Sequence, residues 1–140
     1  MPTRPAIPRW ILYYAAFLTL LSLSTALIGY FAPQRIFMNT GIAFDNAQPI
    51  TFFYATRNMG IFVLGLFALL KRDGKMLFSL LLLRFVVELL DMIFTLKFGI
   101  GGFNPAVVSV VWTILFLVPE FAAAYTLYTK NFSNSHALSS

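Results

Sequence analysis

Three ionisable residues interrupt an otherwise apolar segment of the sequence. In LLLLRFVVELLDMIFTLKF (80–98), Arg84, Glu88 and Asp91 follow one another at spacings of four and three residues. In an α-helix these spacings place all three side chains on one face. Ionisable groups within lipid are costly, and they usually pair with one another or belong to an ion, proton or ligand site. The segment therefore predicts a charged helix face that other helices must complete.

A second apolar segment, at about 50–70, carries Arg57 and Asn58. If this helix enters from the outside and the next one returns, a rise of about 1.5 Å per residue brings Arg57 and Asp91 to the same depth. That depth is roughly 10 Å below the outer membrane boundary. We therefore predict an ion pair between Arg57 and Asp91.

A third apolar segment, at about 106–128, carries Glu120. The same estimate of depth brings Glu120 to nearly the level of Arg84, in the inner half of the membrane, and places Glu88 near the midplane. We therefore predict a second pair between Arg84 and Glu120.

The charges of these groups do not balance, because two arginines face three carboxylates. A lone charge in a low-dielectric environment is costly, so we expect one carboxyl group, that of Glu88 or Glu120, to hold its proton. The arginines would compete with any cation for the carboxylates, so we predict no metal site, and we assign no catalytic residue. The predicted ligand- or proton-binding residues are Arg57, Asn58, Arg84, Glu88, Asp91 and Glu120.

Pro119 precedes Glu120 within its apolar segment. A proline inside a helix has no amide hydrogen, so it frees the carbonyl four residues earlier, here that of Leu115, and tends to kink the helix. Membrane helices are often broken near binding sites, although proline is also common in ordinary membrane helices. Both interpretations of Pro119 stay open.

Composition places the chain in a membrane. Hydrophobic residues make up 59% of its 140 residues, charged residues only 11%, and the mean hydropathy is +0.81. A soluble domain has roughly a quarter of its residues charged. There is no cysteine, and the single histidine, His136, lies in a polar tail, so we predict no disulfide, haem, zinc or other cofactor. The net charge of +5 lies beside apolar segments, which argues against nucleic acid as a partner.

We predict an all-α fold, a polytopic membrane protein with one up-down bundle of four transmembrane helices spanning residues 1–140. Each apolar segment is long enough to cross roughly 30 Å of hydrocarbon. Six lysines and arginines flank the segments on the side of the termini and two on the other side. This asymmetry predicts cytoplasmic termini in the inner (plasma) membrane of a bacterium. The predicted helices are 10–31, 50–70, 76–98 and 106–128, with cytoplasmic tails at 1–9 and 129–140.

The connections and one helix face add local predictions. The charged turn at 71–75 contains Asp-Gly and predicts an antiparallel hairpin, and Asn104 followed by Pro105 predicts a helix start. The link at 32–49 is long for such a connection and is either an interfacial connector or a lid. In the first helix, small side chains recur every three or four residues and predict its packing face. They are Ala15, Thr19, Ser22, Ala26 and Gly29.

The chain resembles the small DoxX-like four-helix membrane proteins in three features. These are Arg57-Asn58-x-Gly60, the charged turn and the spacing from Arg84 to Asp91. This resemblance covers most of the chain and implies the four-helix architecture, but it carries over no catalytic residue. We expect a membrane protein that binds a small or lipid-like ligand at its polar centre or acts as an accessory subunit. One alternative is an intramembrane acid-catalysed isomerase or cyclase acting on an apolar substrate. Another is half of a proton-coupled transporter that works as a dimer, and homo-oligomerisation stays open.

Overall fold

The computed structural model describes residues 6–35, 44–98 and 104–131, and within these ranges the chain is helical and contains no β-strand. The predicted all-α class is therefore confirmed. The elements are α1 (Arg9–Phe31), a 3₁₀ turn (Pro33–Arg35), α2 (Phe44–Lys71), α3 (Gly74–Phe98), α4 (Pro105–Trp112), a π-helical turn (Thr113–Leu117) and α5 (Val118–Asn131).

Three helical stretches are long and apolar enough to cross a membrane: Arg9–Phe31, Pro49–Lys71 and Pro105–Asn131. The last one combines α4, the π-helical turn and α5. With 25 residues, α3 is also long enough, but the charges described above interrupt its apolar sequence, and its composition alone does not identify it as a membrane span.

Some predicted boundaries were wrong by a few residues. α2 begins at Phe44 rather than near residue 50, so Pro49 lies inside the helix rather than before it. The predicted link is shorter as a result, and its remaining part at 36–43 lies outside the described residues. α5 continues to Asn131, so the predicted tail at 129–140 begins inside a helix.

The helix starts follow from local capping. The side chain of Asn104 accepts a hydrogen bond from the amide of Ala106 at 2.9 Å, which confirms the predicted cap. Asp73 caps α3 in the same way, since its Oδ1 accepts from the amides of Lys75 and Met76 at 2.9 and 3.2 Å. This cap explains why α3 begins two residues earlier than predicted.

The tight turn between α2 and α3 is present, but the two helices pack more extensively on other neighbours. α2 packs mainly on α1, and α3 packs mainly on α5. The predicted small-residue face of α1 is buried as a whole, and it faces α2 where a methyl group added at Gly65 would collide with the side chain of Thr19. Apolar side chains from α1, α2, α3 and α5 share one core, which includes Leu18, Ile61, Leu81 and Leu127.

Candidate functional site

Arg84 of α3 lies at the centre of a buried polar network. Its side chain is 3% exposed, and its three nitrogen groups donate to three different partners. Nη2 donates to Oε1 of Glu88 at 2.6 Å, one helical turn further along α3. Nε donates to Oε1 of Glu120 on α5 at 2.9 Å, and Nη1 donates to Oγ of Ser22 on α1 at 2.8 Å. Arg84 therefore connects three helices, and its predicted pairing with Glu120 is confirmed.

The two carboxyl groups around Arg84 differ in how their second oxygen is satisfied. Oε2 of Glu88 accepts a hydrogen bond from the indole nitrogen of Trp112 on α4 at 3.0 Å. Both oxygens of Glu88 are thus acceptors, which is the pattern of an ionised carboxylate. The side chain of Glu120 is 0% exposed, and its Oε2 has no hydrogen-bond partner in the described part of the chain.

The second predicted pair, Arg57 with Asp91, is also confirmed and joins α2 to α3. The two side chains form a bidentate contact, with Nη1–Oδ1 at 2.8 Å and Nη2–Oδ2 at 2.6 Å. The guanidinium group also lies over the ring of Tyr54, 4.6 Å from its centroid. The side chains of Arg57 and Asp91 are 35% and 23% exposed. This pair therefore reaches the surface of the protein, whereas Arg84 is buried.

Asn58, the remaining predicted site residue, has a local role in the structure. It is buried, and its side-chain amide donates to the backbone carbonyl of Tyr54 at 2.9 Å, one turn earlier in α2. This bond fixes the side chain against its own helix.

The backbone carbonyls of the turn before Pro119 find two kinds of donor, an amide of the same helix and the hydroxyl of Tyr14 from α1. The π-helical turn lets the amide of Val118 donate to the carbonyl of Thr113, five residues back. The hydroxyl of Tyr14 donates to the carbonyl of Leu115 at 3.0 Å and approaches that of Phe116 at 3.4 Å. The predicted freed carbonyl at Leu115 is therefore real, and a side chain from another helix stabilises it.

Sequence reasoning missed two members of the network, Ser22 and Trp112, and the partner of the freed carbonyl, Tyr14. Ser22 belongs to the small-residue face of α1, a pattern that indicates packing, and Tyr14 lies where aromatic residues often mark the membrane boundary. Nothing in the spacing of Trp112 distinguishes it from a lipid-facing residue. The only general signal is chemical: buried charged groups and freed backbone carbonyls need hydrogen-bond partners, and uncharged polar side chains on neighbouring helices can provide them.

The structure assigns the excess negative charge of the site. Arg57 and Asp91 balance each other, whereas Arg84 stands against two carboxyl groups, Glu88 and Glu120. Among the residues that the structure describes, no three His, Cys, Asp or Glu side chains come together as metal ligands. Two surface grooves lie between helices, one between α2 and α3 and one between α1 and α2, and no member of the charged network lines either of them.

Comparisons of the chain with protein-family models, curated proteins and solved structures gave no significant match. The resemblance to DoxX-like proteins therefore stays a prediction.

Proposed function

We propose that the chain is a polytopic membrane protein in which α1, α2, α3 and the α4–α5 stretch each cross the bilayer. The outer faces of its helices support this topology, because large apolar side chains such as Phe53 and Leu70 are 78% and 74% exposed. Pairing of the charges on α3 makes its crossing compatible with lipid. The distribution of lysine and arginine favours cytoplasmic termini and a bacterial inner membrane.

We further propose that this protein binds a small or lipid-like ligand at its polar centre, as an accessory or binding protein. The observation that carries this proposal is the buried Oε2 of Glu120, which has no hydrogen-bond partner among the described residues and lies in a network that has one excess negative charge. Purely structural ion pairs rarely leave such an atom, since an unsatisfied buried polar group is destabilising. The Arg57–Asp91 pair, which is partly exposed, provides polar contacts that a ligand entering from the bilayer can reach.

Of the two carboxyl groups at Arg84, we propose that Glu120 holds the proton. Glu88 accepts hydrogen bonds at both oxygens, so a proton on it would displace a donor, whereas Oε2 of Glu120 has room for one. Protonation of Glu120 removes the excess charge and leaves Arg84 balanced by Glu88.

Infrared spectroscopy of the protein in lipid nanodiscs tests this assignment through the C=O stretching band of a protonated carboxyl group. We expect the band in the wild-type protein and not in Glu120→Gln. Glu120→Asp should shift the band because it changes the environment of the protonated group, while Glu88→Asp should leave its frequency unchanged. A band that shifts in Glu88→Asp and not in Glu120→Asp would assign the proton to Glu88 instead.

Native mass spectrometry tests the binding function. The protein is released from nanodiscs made with a total bacterial lipid extract, and retained small molecules are compared between variants. We expect a species that the wild-type protein retains and that Arg57→Gln/Asp91→Asn loses without any change in net charge. Thr126→Ala is the control, because its exposed hydroxyl bonds only to its own helix, at the carbonyl of Ala122. If all three proteins retain the same species, the polar centre has a structural role only.

One observation favours proton-coupled transport as a second candidate. The π-helical turn and Pro119 interrupt the helix directly beside Glu120, and such interruptions in membrane helices often lie at binding sites and allow bending. Solute uptake into proteoliposomes under a pH gradient, lost in Glu120→Gln, would support transport. Catalysis by a general acid has less support, because Glu120 is fully buried and Glu88 is engaged at both oxygens.

A further inference from the structure

A groove of about 350 Å³ lies between α1 and α2, at the end of the molecule opposite the 3₁₀ turn. It forms where the first turns of α1 meet the last turns of α2. Its lining combines two arginines, Arg9 and Arg72, with Leu12, Tyr13 and Leu69. The groove is thus positively charged at its rim and apolar where the leucines lie.

Neither arginine is neutralised by a residue that the structure describes. Both are exposed, and within the described ranges neither forms an ion pair with a carboxylate. The nearest acidic residue in sequence, Asp73, uses Oδ1 to cap α3. Arg9 belongs to α1, and Arg72 to the turn between α2 and α3. Two guanidinium groups that border one groove and have no carboxylate partner among the described residues are arranged to bind an anion, because each can donate two parallel hydrogen bonds to phosphate oxygens.

The backbone conformation of Arg72 is a second, independent observation. Its φ is +47°, in the left-handed region, and it is the only non-glycine residue with positive φ in the described part of the chain. This conformation is costly for a residue with a side chain, and glycine is the usual residue there. Residues in strained backbone conformations are concentrated at functional sites. At Arg72 the strain places a guanidinium group at the groove, where glycine would leave none.

We propose that this groove binds the phosphate head group of an anionic phospholipid. Arg9 and Arg72 would hold the phosphate, and the acyl chains would follow Leu12 and Leu69 along the apolar surface of α1 and α2. Both helices are long and apolar enough to cross a membrane. With both crossing the bilayer as proposed, their ends lie at the level of the lipid head groups. A soluble anion would use the arginines but not the leucines. The site is separate from the Arg84 network and does not depend on ligand binding there, but it rests on the proposed membrane crossing of α1 and α2.

Native mass spectrometry with defined lipids tests the proposal on the delipidated, detergent-solubilised protein. It is titrated with phosphatidylglycerol and, separately, with phosphatidylcholine of the same acyl chains. We expect phosphatidylglycerol to bind more tightly, and each substitution, Arg9→Gln or Arg72→Gln, to weaken it about fivefold. The control, Arg35→Gln/Lys130→Gln, removes two exposed positive charges, one more than either test variant, but leaves the groove intact. Equal losses in the control, or equal binding of the two lipids, would overturn the proposal.

Two further measurements separate the remaining explanations. Arg72→Gly keeps the turn, because glycine adopts this φ freely, so thermal stability in neutral detergent should not fall while phosphatidylglycerol binding weakens about fivefold. Unchanged binding in Arg72→Gly would show that the arginine side chain is not part of a lipid site.

Inorganic phosphate serves as the competitor that tests for a free-anion site. We expect it not to displace the lipid at equal concentration, and displacement would overturn the assignment to lipid.

Discussion

One carboxylate is enough to neutralise Arg84, and this leads to a test by double substitution. With both Glu88 and Glu120 ionised, the formal charge of the three groups is −1; either Glu→Gln change alone allows a neutral pair. Changing both leaves the guanidinium group of Arg84 without a counter-charge at a position where its side chain is 3% exposed. The two substitutions should therefore be far more harmful together than the sum of their separate effects.

The magnitudes follow from the contacts. In the wild-type protein Nε of Arg84 donates to Glu120 at 2.9 Å, and Glu120→Gln keeps an acceptor there. This substitution should lower the free energy of unfolding by less than about 1 kcal/mol. Glu88→Gln loses a charge-assisted bond of 2.6 Å and weakens the contact with Trp112, so we expect a loss of about 1–2 kcal/mol. An uncompensated buried charge in the double variant should cost about 3–5 kcal/mol. From the middle of these ranges, the coupling between the two sites is about 2 kcal/mol, since the double variant loses about 4 kcal/mol and the single variants together about 2 kcal/mol.

The assay is reversible unfolding by sodium dodecyl sulfate in lipid–detergent micelles, followed by circular dichroism. The control adds Arg84→Leu to the double variant, which removes the unpaired charge and should recover most of the loss. If the double variant equals the sum of the single variants within about 0.5 kcal/mol, Arg84 does not need a counter-charge and the reasoning fails.

Three further predictions use the same unfolding assay. Asp91→Asn should destabilise the protein by about 1–2 kcal/mol because Arg57 loses its partner, and adding Arg57→Gln should recover part of this; no recovery in the double variant would contradict the pairing. Tyr14→Phe should cost about 1 kcal/mol by leaving a carbonyl of the π-helical turn unsatisfied, and an unchanged stability would argue against that bond. Gly65→Ala should cost about 1–3 kcal/mol through a collision with α1, whereas Gly60→Ala, with open space around it, should be neutral or stabilising; equal effects would refute the close approach of the helices there.

The pairing of charges could be predicted from the sequence because helical rise converts position into depth. Two charged residues at a common depth can form an ion pair if their side chains are long enough to meet, as in Arg57–Asp91 and Arg84–Glu120. Because the arginine side chain is long, the pair can form even when the estimated depth is wrong by about one helical turn. The face of α1 was predictable for a similar reason, since small residues at helical spacing indicate close packing whatever the neighbour is.

The parts that could not be predicted depend on which helices are neighbours and how they are rotated. Ser22 accepts a hydrogen bond from Arg84 and Trp112 donates one to Glu88 because of the rotation of α1 and α4, which no local pattern records. The same limit hid the role of Tyr14: proline chemistry identified the free carbonyl of Leu115, but only the packing of α1 on that stretch supplies its donor.

The network also links the proposed membrane crossing of α3 to its neighbours. An ionisable residue at the centre of a membrane helix costs about 2.5–3.5 kcal/mol to insert, and α3 carries Arg84, Glu88 and Asp91. Within α3 only Arg84 and Glu88 satisfy each other. Asp91 depends on α2 and the remaining donors of Arg84 depend on α1 and α5, so α3 gains its full compensation only when those helices are in place. The charges of α3 therefore have two effects: they make its composition unlike that of a membrane span, and they require α1, α2 and α5 to pack against it.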